Sequence, residues 1–513
     1  MKRKKTAGII LHPTCLPGAY GIGELGSSAY GFIDYLKHIG ASHWQILPLS
    51  PTGFGNSPYS ARSTFAGNEL LISIELLIDE GMIKAESLGR MPQWESRRVD
   101  YEQLIPWKME LLKEAAGSYQ PDEQFSEFCR REEDWLDGYA LFMSLAVDCS
   151  LGFSWYDQWD RDLALRSEQA LASWRDRCAE GIHRWKVLQF WFHTQWMRVK
   201  AYARSRGISI IGDVPIFVAA DSADTWQHMD LFKTDSKGGF SSQSGVPPDA
   251  FSSTGQLWGM PVYDWDGHRK ELFEWWTRRV EHTLELTDII RIDHFRGLQA
   301  YWEVPAGEAT AENGRWVQAP GRSLFRHLKK QLGDLPIIAE DLGVITPDVD
   351  ALREFFGMPG MSILQFAFDP VGEGKLNGEN RYLPHNYEPN TAAYTGTHDN
   401  QTTAGWFAAL DESVRDVVRR YFARSDDDMT WTMIRGVLSS CADRAIIPLQ
   451  DILELGDEAR MNSPSTVGSQ NWSWRVTEEQ LVLPVPSARF REMTELYGRE
   501  ARADDLSDLK EDS

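Results

Sequence analysis

Eight short β-branched or apolar runs punctuate this chain, and their number and order constrain its fold more than any other feature. They cover 7–11, 44–49, 208–214, 288–292, 336–339, 362–366, 392–395 and 445–449. Each ends in polar residues or Gly/Pro, and most lead into a stretch with helical periodicity. Strands that are apolar throughout, rather than alternating, are covered on both faces, which means a parallel sheet wrapped by helices. Eight of them predict an α/β chain closed into a (β/α)₈ (TIM) barrel instead of an open doubly wound sheet. No GxGxxG or GxxxxGK[ST] string supports a nucleotide-binding alternative.

At 513 residues the chain exceeds the roughly 250 of a bare barrel. The surplus falls in two places. Residues 51–206 are charged and helical in their later part, with Trp135, Trp155, Trp159, Trp174 and Trp185, and read as inserted helical subdomains. Residues 217–265 are rich in Gly, Ser and Pro and read as a loop layer at one end of the barrel, including a lid over 245–260. The expectation is a single catalytic barrel over 1–513 with these two insertions and no separate C-terminal β-sandwich domain.

Charge and cysteine usage narrow the partners. Acidic residues outnumber basic ones 75 to 53, and a net charge of −22 repels nucleic acid and anionic lipid while costing a neutral substrate nothing. No run approaches the roughly 18 apolar residues of a membrane span, and 7–11 is too short for a secretory core segment. Five cysteines without a CxxC pair argue against a disulfide framework and a structural zinc site. A cytoplasmic chain with no nucleic-acid or membrane partner is expected. The 21 tryptophans nearly equal the 23 phenylalanines; indole faces suit the apolar faces of sugar rings, although most tryptophans simply pack.

The strongest polar clusters fall at the C-terminal ends of the predicted strands, where barrel enzymes place their catalytic groups. They are Gly212-Asp213-Val214-Pro215, Arg291-Ile292-Asp293-His294-Phe295-Arg296-Gly297, Ala339-Glu340-Asp341-Leu342-Gly343 and Gly396-Thr397-His398-Asp399-Asn400. Taken singly, an Asp after a strand is more often a turn or helix cap. Caps have no reason to combine Arg-x-Asp-His, Glu-Asp and His-Asp-Asn at strand ends of one barrel. Glycosidic cleavage passes through a cationic sugar and needs one ionised carboxylate and one protonated carboxyl. Asp293, beside Arg291 and His294, is expected to have a lowered pKa suited to a nucleophile, and Glu340, after the apolar 336–339, a raised one suited to a general acid. Asp399 would be a third carboxylate that binds sugar hydroxyls and favours distortion.

These strings resemble the signature regions of the α-amylase clan, and more closely the 4-α-glucanotransferases called amylomaltase or disproportionating enzyme, over nearly the whole chain. The similarity extends to Gly55-Asn56-Ser57-Pro58-Tyr59, Phe65-Ala66-Gly67-Asn68, the segment from Gly245 through Asp249, Ala250 and Phe251 to Gly255-Gln256-Leu257-Trp258-Gly259, and Arg460-Met461-Asn462. The resemblance implies a retaining double displacement on α-1,4-glucans and maltooligosaccharides, with Asp293 as nucleophile, Glu340 as acid/base, Asp399 as transition-state stabiliser and no metal or organic cofactor. It further implies that Ser57 and Tyr59 bind substrate, Tyr59 by stacking on the donor sugar. Asp213, Arg291, His294 and His398 would hold donor hydroxyls or orient carboxylates. Asp249, Phe251, Gln256 and Trp258 would arch over the cleft, and Gln365 with Phe366 would flank it. The string 462–475 departs from the family pattern, which has Gly or Ala after the Pro and one residue fewer before Asn-Trp; the departure bears on substrate preference. An α-amylase-type hydrolase and a non-catalytic glucan-binding barrel are the alternative readings.

Overall fold

A computed structural model describes residues 4–500 apart from 90, 236–237, 249–251 and 369–374. Each of the eight sequence runs overlaps a parallel strand, 44–49 and 362–366 by two residues each, the latter continuing as the 3-10 turn Leu364–Phe368: β1 (Thr6–Ile10), β2 (His43–Gln45), β3 (Ser209–Pro215), β6 (Ile289–Asp293), β9 (Ile337–Ala339), β10 (Gly360–Ile363), β11 (Thr391–Tyr394) and β12 (Arg444–Pro448). Their order, β10-β11-β12-β1-β2-β3-β6-β9, is that of a barrel cut between β9 and β10. The seam is closed by the Ala339 N–H, which donates to Pro359 O at 2.9 Å.

Asp341, immediately past β9, reinforces that seam. Its carboxylate is fully buried, accepts the Met361 N–H of β10 at 2.7 Å, and faces Arg381 at 3.0 Å and Arg353 at 3.3 Å. Gly360 is required beside it, because a Cβ there would stand 2.5 Å from the carboxylate. A buried carboxylate with two cations is costly to break from one side. Asp341→Ala is therefore expected to lower the unfolding free energy by about 3–5 kcal/mol in a urea titration; a loss under about 1 kcal/mol would show that the seam does not depend on it.

Helices cover the barrel. Ser27–His38 lies between β1 and β2, Arg269–Leu286 between β3 and β6, Gly321–Leu332 between β6 and β9, and Pro347–Phe355 between β9 and β10. The crossover into β3 is the 27-residue helix Ala179–Ser205, which buries Trp185, Leu188, Phe192, Trp196, Val199 and Ala203 at three- and four-residue intervals along one face. It packs on Ser27–His38 and on β3, and its Trp196 Nε1 donates to Leu286 O at 2.9 Å. Ahead of it, Tyr101–Ser118, Glu123–Arg131 and Glu133–Met143 form a helical layer packed on the same helix.

Four further strands make a second, antiparallel sheet in the order β5-β4-β7-β8: β4 (Ser242–Val246), β5 (Gln256–Pro261), β7 (Ala300–Pro305) and β8 (Arg315–Gln318). Residues read from sequence as the flanks of a lid loop are thus the arms of a β-hairpin. After β12 the described chain forms helices, turns and one isolated β-bridge, Trp474 with Arg98, ending with Pro484–Leu496. Among the described residues no helix is long and apolar enough to cross a membrane.

Candidate active site

Asp293 is the last residue of β6 and Glu340 the first after β9, and the paired register Ile292 with Ala339 sets the two side by side. The ladder continues past that pair: the Glu340 N–H donates to Ile292 O at 3.0 Å and the Phe295 N–H to Glu340 O at 3.2 Å.

The Glu340 carboxylate is held by two backbone donors, His294 N–H to Oε2 at 2.6 Å and Leu342 N–H to Oε1 at 3.1 Å. His294 presents its N–H by adopting a left-handed conformation, φ 50°, which a non-glycine residue holds only when its surroundings over-determine it. Here the ring is packed by Trp258, edge to face at 4.7 Å.

Asp293 is anchored by Arg291, whose Nη2 donates to Oδ1 at 2.9 Å while Nη1 donates to Asp213 Oδ2 at 2.6 Å. Arg291 and Asp213 are buried; Asp293 keeps 29% of its side chain exposed. Below them the barrel interior is polar, with Tyr394 Oη donating to Gln45 Oε1 at 2.9 Å. The expectation of a lowered Asp293 pKa is overturned. Burial raises it to about 6, and although Arg291 opposes this, Asp213 and Asp399 push it up further. Glu340 is raised to about 8, first by burial and then by the Asp293 charge, against Arg291 and the His294 N–H. The two carboxyls titrate as a pair; near neutral pH one proton is shared out to Glu340 and Asp293 is ionised.

Asp399 stands at the end of β11. Asn462 Nδ2 donates to its Oδ1 at 2.6 Å, His398 Nε2 is 3.4 Å from Oδ2, and Arg460 Nη2 donates to its backbone oxygen at 2.7 Å. Tyr59 Oη donates to Asp213 Oδ2 at 2.7 Å, and its ring stacks on His398 with centroids 5.2 Å apart and planes 14° from parallel. Burial lowers the pKa of His294 to about 3, which leaves that ring neutral, and burial also lowers that of His398 against the Asp399 charge. Among the described residues His294 Nε2, His398 Nδ1 and Asp213 Oδ1 are buried without a hydrogen-bond partner, leaving donors and acceptors suited to sugar hydroxyls.

The remaining sequence candidates sit around this constellation. Ser57 Oγ accepts the Tyr59 N–H at 3.3 Å and shapes that loop. Gln256 Oε1 accepts Trp258 Nε1 at 3.3 Å on β5. Gln365 Nε2 donates to Gln401 O at 3.0 Å, and Phe366 packs edge-on against Tyr382 at 5.6 Å. Asp249 and Phe251 lie outside the described residues. Two participants carried no role in the sequence reading. Asn462 was quoted only as part of a string, and Trp472, at the end of the divergent 462–475 stretch, closes an aromatic cluster with Tyr59 at 5.9 Å and His398 at 6.0 Å. A buried third histidine, His12 at the end of β1, is lowered to about 3 by burial and by His398.

Arg291 is the cation common to Asp213 and Asp293, so its replacement tests the electrostatics. In the parent the rate profile should fall below about pH 6 as Asp293 is protonated and above about pH 8 as Glu340 loses its proton. Arg291→Met removes a group that lowers both pKa values, so both limbs should move alkaline, with about 3–5 kcal/mol lost in stability. Arg291→Lys should restore part of each. An unmoved acid limb in Arg291→Met would contradict the assigned coupling.

A family model described as 4-alpha-glucanotransferase matches residues 11–480. A 4-alpha-glucanotransferase of Synechocystis sp. is 48% identical, the alignment covering 97% of this chain and 99% of that protein. One of Thermus thermophilus is 45% identical over 97% and 100%. Among solved structures, amylomaltase from Streptococcus agalactiae, in complex with acarbose, superposes with a TM-score of 0.92 at 38% identity, covering 97% of this chain and all of that one.

Proposed function

The chain belongs to the 4-alpha-glucanotransferase family, and we propose that it moves a segment of an α-1,4-glucan to the 4-hydroxyl of another glucan or of glucose by double displacement, with Asp293 as nucleophile. The observation that carries this reading is the register pairing of β6 with β9, which brings two carboxyls of unequal proton affinity to adjoining strand ends. The ionised Asp293 attacks C1 of the donor ring while the proton on Glu340 passes to the departing glycosidic oxygen, forming a glycosyl ester on Asp293. Glu340, now ionised, takes the proton of the acceptor hydroxyl as that oxygen attacks C1 from the face the leaving group vacated. Anomeric configuration is retained after two inversions. Asp399, held by Asn462, binds donor hydroxyls, and the Tyr59 ring offers the donor an apolar surface.

Choosing a sugar over water as acceptor needs a dry, aromatic acceptor side. The β4–β5 hairpin supplies it through Trp258, packed on His294 directly beside Asp293. Asp249 and Phe251 belong in sequence to the connection between its arms, and the family resemblance implies that they arch over the bound glucan. The cysteines are all free, which fits a reducing, cytoplasmic setting.

Incubation with maltotriose tests the reading. Transfer yields glucose and longer oligomers with a constant number of reducing ends. A rise in reducing ends without longer products would favour the hydrolase alternative, and no turnover at all a non-catalytic barrel.

A further inference from the structure

Outside the catalytic constellation the structure brings two thiols together. Cys149 Sγ and Cys178 Sγ are 3.3 Å apart, 29 residues distant in the chain. Cys149 follows the π-helical turn Ser144–Asp148, and Cys178 sits where helix Glu168–Arg177 meets helix Ala179–Ser205. Both backbones are pinned: the Cys149 N–H donates to Ser144 O at 2.9 Å and the Cys178 N–H to Trp174 O at 2.9 Å. The turn is tied to its neighbours through Asp148, which accepts Trp185 Nε1 at 3.0 Å and Lys113 Nζ at 2.6 Å. The thiols are thus held face to face by secondary structure. A disulfide bond measures about 2.05 Å, so closure asks the sulfurs to move roughly 1.3 Å nearer.

We propose that Cys149 and Cys178 form a reversible dithiol modification site, closed to a disulfide by hydroperoxides and reopened by thiols. Cys149 is partly exposed while Cys178 is buried, so the oxidant meets Cys149 first. Its sulfur attacks the terminal peroxide oxygen, the O–O bond breaks, and the alcohol leaves with a proton, giving a sulfenic acid. The Cys178 sulfur then attacks the Cys149 sulfur, the S–O bond breaks, and hydroxide departs with the Cys178 proton as water. Two thiols lose two electrons and the peroxide gains them. Burial pushes the Cys178 thiol up to about 11, which suits the resolving partner and not the first nucleophile.

Closure has a structural consequence. The ring would enclose 150–177, whose Phe153 lies under the Arg62 guanidinium at 3.7 Å and whose Trp155 Nε1 donates to Ala220 O at 3.0 Å. Arg62 in turn pairs with Asp221 and stands three residues after Tyr59. The disulfide would clamp the base of the excursion that buttresses the Tyr59 loop.

The test treats the full chain with hydrogen peroxide, blocks residual thiols with iodoacetamide under denaturing conditions, and maps the digest by mass spectrometry. The expected result is loss of two of the five titratable thiols, a linked Cys149–Cys178 peptide, and recovery of all five with dithiothreitol. The thermal midpoint should rise by about 3 °C on oxidation, a shift absent in Cys149→Ser. Recovery of Cys149 as sulfinic acid with Cys178 still titratable, links joining other cysteines, or five unreacted thiols would each overturn the proposal. The mapping uses the unmodified sequence, so it stands whatever the stability of the variant.

Discussion

Asp293→Asn is expected to lower kcat for transfer between maltooligosaccharides by about 10⁴-fold or more, the scale seen when a covalent nucleophile is removed, while the chain stays folded and still binds sugar. The fold should survive because the ionised Asp293 is held against burial and against Asp213 and Asp399. An acid whose folded pKa is raised costs stability once the pH exceeds its ordinary value, so a neutral amide removes that cost above about pH 4. At pH 8 the thermal midpoint of Asp293→Asn should therefore equal or exceed the parent's. A variant that retained a tenth of the parental kcat would exclude Asp293 as nucleophile.

Glu340→Gln should lower kcat by about 10²–10⁴-fold for glucan donors and much less, in the first step, for glycosyl fluorides or activated aryl glycosides. Those leaving groups depart without protonation. Gln can accept only one of the two N–H groups, from His294 and Leu342, that now point at Glu340. A stability loss of about 1–2 kcal/mol should accompany the kinetic effect. The ratio between donors separates the two effects, since misfolding lowers both rates alike. Equal losses for good and poor leaving groups would remove the acid role.

The barrel was legible because each of its strands is a local event: a short apolar run ending at a polar residue. The runs 288–292 and 336–339 correspond to Ile289–Asp293 and Ile337–Ala339 with boundaries shifted by a residue at most. Asp293 and Glu340 were legible for the same reason, lying at the point where the apolar pattern stops. The antiparallel sheet was not. β4 pairs with β7 across more than fifty residues, β8 is an exposed edge strand, and Gly and Ser in 242–246 read as loop. The cluster of Tyr59, His398 and Trp472 likewise joins three distant segments, and nothing near Trp472 in sequence marks it as part of the site. The direction of the Asp293 shift failed for a related reason. Sequence adjacency exposes Arg291, while the burial and the carboxylates of Asp213 and Asp399 that outweigh it arrive through tertiary structure.

The central claim is a covalent glycosyl intermediate on one named carboxylate. Glu340→Gln mixed with α-maltosyl fluoride should glycosylate quickly, since fluoride needs no acid, and deglycosylate slowly, since no base remains to activate the acceptor. Mass spectrometry of the quenched protein should then find a maltosyl adduct, and peptide mapping should place it on Asp293. An adduct on any other residue, or turnover of the fluoride with no adduct accumulating, would contradict the account.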